Sequence, residues 1–449
     1  MNRQITNKLL ITIIFILFIP FLQSNLKFTE EKPLKGFYVQ SENVDFKWEY
    51  WFSEKYQKQK ELYLNENFGF RNTFVRLNNQ ILYTCFNKTR NKEVIIGKNR
   101  YLFNEHNIFA YLGKNYIGDD TILKKVMLIK KIQDTLSKLN KNLIFVFCPG
   151  KVRYTHQYIP EKYADIQKQK TNYEEIKYQF DKHNIRYFDA IQFLTTQKKY
   201  NIKIYSKNGI HWSMSAAVIV MDTLIKYIEK ITNKKMNHLI IKKLHHKCPR
   251  KIEKFNSDED IIESMNLLYY QKDQMSYPIF SYENSNNKYY PNILVIADSY
   301  FYLPYDLKFS SVFNKLSFWY YNKESFTQSF YESTPTDKIN LKHAIRYNDI
   351  IMVLATETSL EKMGWGFYED LNKVLFHADK YDTLNKLNDL GLNAYEQRIK
   401  EVVRGIITSP DWYNLIKEKA HQNGLPVDTE MFNNARWLIS EEDKIPDDL

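Results

Sequence analysis

The sequence predicts an α/β protein: a three-layer α/β/α sandwich with a parallel central sheet, followed by a helical C-terminal tail. The observation behind this prediction is a set of continuous apolar runs, LIFVFC (143–148), NILVIADSY (292–300), LSFWYY (316–321) and DIIMVLA (349–355). Such runs are typical of strands that are buried on both faces. Helical patterns lie between them, and strands that alternate with helices build parallel sheets with helices on both faces.

Helical periodicity is clearest before the first of these strands. Asp119 is a candidate N-cap for a helix that runs to about Leu139, because apolar residues recur along one face of this segment. The other elements predicted in the α/β part are two short strands at 94–96 and 101–103, helices at 171–183, 213–231 and near 337–346, and a short strand at 185–190.

Composition divides the chain into four parts. They are a signal peptide or signal anchor (1–24), an irregular and helical segment (25–90), the α/β domain (91–378) and a helical tail (379–449). Within the α/β domain, residues 233–290 are rich in Lys, Asn and Tyr, and we interpret them as an insertion that decorates the surface. In the tail, helices are predicted at 381–390, at 393–407, from Ser409–Pro410 and from about Asp428.

The N-terminus has the pattern of an export signal. Arg3 and Lys8 precede an apolar run from Leu9 to Leu22, and a basic segment followed by about fourteen apolar residues is typical of a signal peptide. No clean cleavage site follows, so an uncleaved anchor in the inner membrane stays open. Since the positive end stays in the cytoplasm, residues after about 25 are expected in the periplasm or otherwise outside the cytoplasm.

The net charge of +12 and the pI near 9.1 do not predict a nucleic-acid-binding protein. The basic residues are spread along the chain and mixed with acidic ones, and no RNA- or DNA-binding signature is present. A basic surface also suits an anionic membrane or an acidic polysaccharide. We therefore expect no nucleic-acid partner.

Cysteine and histidine patterns argue against a disulfide framework and against a metal site. The chain has three cysteines, an odd number. The tract HHKC (245–248) resembles a metal site only superficially, because adjacent histidines point apart and no second ligand pair has useful spacing.

Ligands of open parallel sheets bind at the carboxyl ends of the strands, which directs attention to the loops there. Ser299 lies in IADSY, just after a buried strand, where a tight turn would expose its hydroxyl. A plain helix N-cap is the alternative. His211 lies in KNGIH, before a helix, and alone it would be a structural histidine more often than a catalytic one. Together the two residues suggest a nucleophile and its base.

Five other residues are candidates for substrate binding. Trp212 is either a platform for a sugar ring or a core residue, and Lys151 either meets an anionic sugar or the oxyanion or is a solvated loop lysine. Tyr300, like Ser299, offers a backbone N–H to an oxyanion. Glu357 and Trp365 follow the last buried strand, and Glu357 is the nearest spare carboxylate at this edge.

Four stretches of the chain resemble motifs of one protein family. They are NENFGFRNTF (65–74), VIIGKNRYLF (94–103), CPGKVRYTHQYIP (148–160), and NGIHWSMSAA (208–217) with the later IADSY (296–300). In this order they are similar to motifs of the SGNH-hydrolase-like proteins of alginate acetylation, AlgJ and AlgX. Like that family, the chain has its histidine before its serine, the reverse of ordinary SGNH esterases.

The resemblance implies an SGNH-like fold and an activity. In that family an exported domain transfers an acetyl group to a hydroxyl of a secreted polysaccharide, and a polytopic membrane O-acyltransferase supplies the acetyl group. Carried over to this chain, the resemblance makes Ser299 the nucleophile and His211 the base. No cofactor is implied, because acyl transfer through a serine requires none. Esterase activity stays open, since only the acceptor differs.

The chain departs from the family at one position. The family's acid, two residues before the histidine, would fall at Gly209, which has no carboxylate. Three interpretations stay open: Asn208 or a backbone carbonyl orients His211, an acid from elsewhere substitutes, or the site binds glycan without turnover. The last makes the protein a periplasmic scaffold or glycan-binding component of an exopolysaccharide system. An ordinary secreted lipase is disfavoured by the chain order and by the lack of a G-x-S-x-G turn.

Overall fold

The structure is a computed structural model of the 449-residue chain. It describes residues 3–36, 41–196, 202–245, 256–285, 287–326 and 332–376, and in the C-terminal part residues 398–399, 402–403, 405–406, 409–423, 425 and 427–442. The predicted tail helix at 381–390 lies outside the described residues, as does most of that at 393–407.

The described residues form helices and strands in the alternation expected from the sequence. The helices are α1 (Arg3–Leu26), α2 (Trp48–Phe52), α3 (Lys55–Glu66), α4 (Arg71–Phe86), α5 (Glu105–Leu112), α6 (Asp119–Lys138), α7 (Lys151–Thr155), α8 (Glu161–Ala164), α9 (Asn172–Lys182), α10 (Ala190–Thr196), α11 (Met214–Thr232), α12 (Asp260–Ser264), α13 (Tyr302–Asp306), α14 (Leu341–Tyr347), α15 (Phe367–Phe376), α16 (Pro410–Asn423) and α17 (Val427–Glu442). The strands are β1 (Val94–Ile96), β2 (Leu102–Asn104), β3 (Asn142–Cys148), β4 (Tyr187–Asp189), β5 (Leu239–His245), β6 (Tyr277–Tyr282), β7 (Asn292–Ala297), β8 (Lys315–Tyr320), β9 (Glu324–Phe326), β10 (Thr334–Pro335) and β11 (Ile350–Thr356).

The central sheet has seven strands in the order β10-β9-β8-β7-β11-β3-β4. The five strands β8, β7, β11, β3 and β4 are parallel to one another, as the buried apolar runs predict. β9 pairs antiparallel with β8 because residues 321–323 form a tight turn between them, and β10 extends this edge. The α/β sandwich expected from the sequence is therefore confirmed, with an antiparallel margin on one side.

Alternate residues of the parallel strands fill the two faces of the sheet. On one face, Ile144, Val295 and Met352 belong to a core cluster that includes most of the apolar stripe of α11. On the other face, Phe145 and Phe147 of β3 pack against Phe180 of α9, with ring centroids 5.3 and 5.5 Å apart. Helices thus cover both faces, which gives the three layers.

Two small antiparallel pairs lie outside the central sheet. β1 and β2 form the predicted strand pair around Gly97, and β5 and β6 belong to the 233–290 segment. The same segment contains α12, whose Ile261 and Ile262 are buried in a cluster with Tyr83 of α4 and Leu102 of β2. This part of the insertion is packed into the protein.

At the N-terminus, Ile5–Leu26 is, among the described residues, one helix long and apolar enough to cross a membrane, with a mean hydropathy of 2.2. A signal sequence meets the same criterion of length and composition. By its internal contacts the chain divides into two compact units, residues 1–339 with 345–368 and residues 340–344 with 369–449. The second unit contains the helices α16 and α17 of the predicted tail.

Candidate active site

Ser299 lies directly after β7, at the carboxyl edge of the parallel sheet. Asp298 fixes the turn: its Oδ1 accepts the backbone N–H of Tyr300 at 3.1 Å, and its Oδ2 accepts the N–H and the hydroxyl of Thr356, both at 2.8 Å. The carboxylate therefore ties the ends of β7 and β11 together. Burial raises the pKa of Asp298. Ser299 is the first residue of a short 3-10 turn, and it is only partly buried.

His211 reaches this edge from the loop before α11. An isolated bridge between Tyr205 and Trp212 closes that loop, and Ser213 caps the helix by accepting the N–H of Ala216. His211 Nε2 lies 2.7 Å from Ser299 Oγ, within hydrogen-bonding distance. The His211 side chain is 11% exposed. A hydroxyl next to an acceptor nitrogen is the arrangement that activates a serine nucleophile.

Asp260, the first residue of α12, completes the arrangement. Its Oδ2 forms a hydrogen bond with His211 Nδ1, and its Oδ1 accepts the backbone N–H groups of Ile210 and Ile261, both at 2.8 Å. The carboxylate is thus held by its own helix and by the loop that carries the histidine. With the proton on Nδ1, Nε2 is the nitrogen that accepts the Ser299 proton. Serine, histidine and aspartate form a triad.

Gly209, the position of the family's acid, has no space for a side chain. A Cβ atom there would lie 1.9 Å from the carbonyl oxygen of Ser257. The stretch that carries Asp260 occupies this space, so the acid comes from residue 260 instead of residue 209. The interpretation of 233–290 as a surface decoration is therefore wrong for this stretch. The sequence signal was SDED (257–260), a group of carboxylates at the start of a short helix.

The hypothesis that Asn208 orients His211 is also wrong. The Asn208 side chain donates from Nδ2 to the carbonyl of Gln271 at 2.9 Å, and its backbone N–H donates to the Ser206 hydroxyl at 3.1 Å. It is 1% exposed and holds the inserted segment against the histidine loop. The hydrogen bond to His211 Nδ1 that was predicted for Asn208 is made by Asp260.

Lys151 is a buried structural lysine, so its predicted contact with a sugar or an oxyanion is wrong. It is fully buried, and its Nζ donates to the carbonyl oxygens of Leu102, Lys207 and Gly209 at 2.7, 3.0 and 2.7 Å. These bonds use all three ammonium donors. Burial lowers the pKa of Lys151 to about 7, although Asp260 and Asp273 oppose this shift. The lysine joins β2 to the loop that ends in His211.

Trp212 and Tyr300 are core residues and offer no surface to a substrate. Trp212 is 1% exposed and donates from Nε1 to the Tyr300 carbonyl at 3.1 Å, so the sugar-platform interpretation is wrong. The Tyr300 hydroxyl donates to the Ile210 carbonyl at 2.7 Å. Because the Tyr300 backbone N–H is bonded to Asp298, it is not directed at an oxyanion in this structure.

Glu357 is not a spare carboxylate. It is 4% exposed, forms an ion pair with Arg153 and accepts the backbone N–H of Gly150 at 2.8 Å. The carboxylate therefore joins the loops that follow β11 and β3. Its charge is compensated, which argues against a role as a general base.

The unpredicted Tyr321 lies beside the nucleophile, and Trp365 packs against Tyr321. Tyr321, just after β8, donates its backbone N–H to the Ala297 carbonyl at 2.9 Å, and its side chain interacts with that of Ser299. Its ring centroid lies 5.2 Å from that of Trp365. Both side chains are half-buried. The signal that could have found Tyr321 was its position at a strand end, the criterion that singled out Ser299.

The described residues contain no group of three His, Cys, Asp or Glu side chains placed to hold a metal ion. The arrangement that they do contain suits nucleophilic acyl transfer. The nucleophile and base are within hydrogen-bonding distance, and a third group orients the base.

Residues 94–244 match the model of the family described as SGNH hydrolase-like domain, acetyltransferase AlgX. This confirms the resemblance seen in the sequence motifs, over a range that includes His211 and ends before Asp260. No curated protein matches the chain significantly in sequence.

Three solved structures resemble the fold at low identity. The O-acetyltransferase domain of Pseudomonas putida AlgJ is 12% identical, with 63% of this chain and 99% of that one covered and a TM-score of 0.41. Bacillus cereus PatB1 with a sulfonyl adduct is 11% identical, with 54% and 91% covered and a TM-score of 0.35. Pseudomonas aeruginosa AlgX is 12% identical, with 62% and 66% covered and a TM-score of 0.37. Because the TM-scores are below 0.5, we infer nothing about function from these likenesses.

Proposed function

We propose that this protein is an extracytoplasmic serine O-acetyltransferase that transfers an acetyl group to a hydroxyl of a polysaccharide. The observation that carries the proposal is the continuous hydrogen-bonded arrangement of Ser299, His211 and Asp260 at the open edge of the sheet. The match of residues 94–244 to an acetyltransferase family supports the choice of acyl group and reaction.

In the first half-reaction, Ser299 Oγ attacks the carbonyl carbon of an acetyl donor while His211 Nε2 takes the hydroxyl proton. Asp260 holds the imidazole by its Nδ1–H and stabilises the positive charge that forms on it. The tetrahedral intermediate then collapses: the bond from carbon to the donor group breaks, and that group leaves with the proton from His211. The product is acetyl-Ser299. The backbone N–H of Ser299 is the proposed donor to the oxyanion.

In the second half-reaction, a sugar hydroxyl replaces the donor. His211 Nε2 removes its proton as the oxygen attacks the acetyl carbon, the bond to Ser299 Oγ breaks, and Oγ recovers the proton. Water in place of the sugar would give an esterase by the same steps. The two outcomes depend on whether an acceptor site holds the sugar better than the site admits water.

The N-terminal helix and the family resemblance support a proposed location and a proposed acetyl donor. The apolar helix Ile5–Leu26 is suited to export or to anchoring in the inner membrane. We propose that the α/β domain works on the periplasmic side and receives acetyl groups from a membrane O-acyltransferase. A chain tethered at the membrane would meet such a donor at high effective concentration.

The alternative of a glycan-binding scaffold without turnover rested on the missing carboxylate at Gly209. Asp260 supplies a carboxylate to His211, so that reason no longer favours the scaffold. The proposal therefore predicts turnover, which a direct experiment can test.

The test uses the full chain in detergent and 4-nitrophenyl acetate as an activated donor. Intact mass spectrometry should find one added acetyl group, and Ser299→Ala and His211→Ala should abolish it. Ser310→Ala and His106→Ala are matched controls, because both residues are exposed and outside the site. Absence of the adduct and of 4-nitrophenol release in the folded parent protein would refute the proposal.

A further inference from the structure

Two joined stretches of left-handed backbone carry Tyr321 and Trp365. Tyr321 and Asn322, just after β8, have φ values of 49° and 54°. Residues 363–366, in the loop before α15, have φ values of 43°, 93°, 53° and 85° in chain order. The side-chain amide of Asn322 donates to the Trp365 carbonyl at 3.3 Å and joins the two stretches.

This conformation is unfavourable for bulky side chains. A positive φ is uncommon for residues other than glycine, and for Tyr, Met or Trp it is a true outlier. Such strain persists where surrounding contacts impose it, and it occurs often at ligand-binding sites. The contacts are present here: the Tyr321 backbone N–H donates to the carbonyl of Ala297 at 2.9 Å, which fixes the residue at the end of β7. The backbone therefore holds Tyr321 in a defined position next to the nucleophile and Trp365 in a defined position against Tyr321.

Aromatic rings continue outward from this point. The ring of Tyr321 lies 4.3 Å from that of Tyr320, and the ring of Tyr320 lies 4.8 Å from that of Tyr302, measured between centroids. The side chains of Ser299, Tyr321, Tyr320 and Tyr302 interact in succession along this row. The three tyrosines and Trp365 are all half-buried, so each has some surface open to solvent.

We propose that Tyr321 and Trp365 form the acceptor subsite, which binds a pyranose ring and directs one of its hydroxyls at acetyl-Ser299. This inference rests on the proposed acetyltransferase activity and deepens it. Apolar ring faces with a few placed polar groups are the usual lining of a small-molecule site. Trp365 supplies apolar surface to the C–H face of the sugar, and the Tyr321 hydroxyl supplies a hydrogen bond.

The phenol is suited to this role over a wide pH range. Burial, and then the negative charge of Asp298, raise the pKa of Tyr321. The hydroxyl therefore stays protonated at neutral pH and can both donate and accept a hydrogen bond. Its position next to Ser299 Oγ places a bound sugar hydroxyl near His211 Nε2, the atom that takes the acceptor's proton in the second half-reaction.

The test compares two fates of acetyl-Ser299 in the full chain in detergent. With 4-nitrophenyl acetate as donor, the acceptors are cellotetraose, mannotetraose, tetragalacturonate and, as a compound without a ring, glycerol. Mass spectrometry of the products gives the ratio of transfer to hydrolysis. Trp365→Ala should lower that ratio for pyranose acceptors at least about tenfold, the size of losing one well-buried aromatic contact, and much less for glycerol. Trp365→Phe should retain most of it, and Tyr321→Phe should lower it for the same acceptors.

Trp437→Ala, on α17 of the tail, is the matched control and should keep the parent ratio, because Trp437 is 57% exposed and lies outside the α/β unit. An unchanged ratio in Trp365→Ala and Tyr321→Phe, or no transfer to any of the three oligosaccharides although acetyl-Ser299 forms, would overturn the subsite and leave the acyl-enzyme intact. Failure of the parent chain to form acetyl-Ser299 would instead refute the proposed function.

Discussion

Ser299 and Asp260 contact the same imidazole, but two differently built regions of the molecule present them. Ser299 follows a buried strand with parallel neighbours on both sides, so the sheet itself places it. Asp260 belongs to an inserted segment outside the sheet and is placed by backbone N–H groups and by the packing of α12 on α4 and β2. A strand end is visible in the sequence as an apolar run, whereas the docking of an insertion is not.

Substitution of Asp260 distinguishes a residue that orients His211 from one that only caps α12. Asp260→Asn should lower kcat by roughly 10³–10⁴, because an amide cannot hold the correct imidazole tautomer or stabilise the imidazolium. The acetyl adduct should form correspondingly slowly with 4-nitrophenyl acetate. Glu263→Gln is the matched control on the same helix, since Glu263 forms a partly exposed ion pair with Lys35. Equal rates in Asp260→Asn and in the parent would mean that Ser299 and His211 act as a dyad.

Lys151 tests whether the histidine loop depends on a buried support. Lys151→Met should lower the free energy of unfolding by roughly 3 kcal/mol, because the buried carbonyls of Leu102 and Gly209 lose this donor and each costs about 1–3 kcal/mol when unsatisfied. The Lys207 carbonyl keeps the Leu102 backbone N–H as a donor. Thermal unfolding in detergent should show a fall of several degrees in Tm, together with slower acylation of Ser299. Lys98→Met, which alters an exposed ion pair with Glu161, should stay within about 0.5 kcal/mol of the parent. An unchanged Tm in Lys151→Met would mean that the histidine loop does not depend on the hydrogen bonds of Lys151.

Moving the acid to residue 209, the family's position, tests whether the site can use a carboxylate there. Gly209→Asp should lower the free energy of unfolding by about 1–3 kcal/mol, because its Cβ would overlap the Ser257 carbonyl and force a backbone shift. The double variant G209D/D260N should not regain the activity lost in Asp260→Asn. Activity and Tm measured on both variants check this. Recovery of activity in the double variant would show that the two acid positions are interchangeable.

The sequence predicted the part of the fold that depends on local pattern. The parallel strands, the helices between them and the β1–β2 pair follow from apolar periodicity, and Ser299 and His211 follow from their places at strand and helix ends. The antiparallel edge was not predicted, because β9 and β10 are too short to give a pattern.

Long-range contacts account for the misassigned site residues. Lys151 resembles a solvated loop lysine until three carbonyls from two other segments surround it, and Glu357 resembles a free carboxylate until Arg153 neutralises it. Asp260 lies 49 positions from His211 in the chain. No local rule places such a residue at the imidazole. The absence of an acid at Gly209 indicated that one was missing, and the carboxylates of SDED (257–260) were the available candidates.

The stretch that carries Asp260 also contains a buried carboxyl group, Asp258, and its titration gives the smallest expected effect. Asp258 is 6% exposed, its Oδ1 has no hydrogen-bond partner within the described residues, and Tyr277 donates to its Oδ2 at 2.8 Å. Burial raises its pKa from 3.8 to about 6. The native state therefore keeps a proton that the unfolded state has already lost, so this group's stabilising contribution is complete below about pH 4 and is lost as the pH rises through 6.

Asp258→Asn removes that titration. The variant should be more stable than the parent above pH 6, by roughly 1 kcal/mol, because burying a neutral amide costs less free energy than burying a carboxylate. The gain is limited because the amide brings an N–H group that needs a hydrogen-bond partner. The difference in Tm between the two should shrink or reverse below pH 4. Asp120→Asn, at an exposed position on α6, should show no such trend. A Tm difference that is the same at pH 4 and pH 8 would mean that Asp258 is not a buried acid in solution. The inserted segment would then pack less closely against the protein than the structure shows.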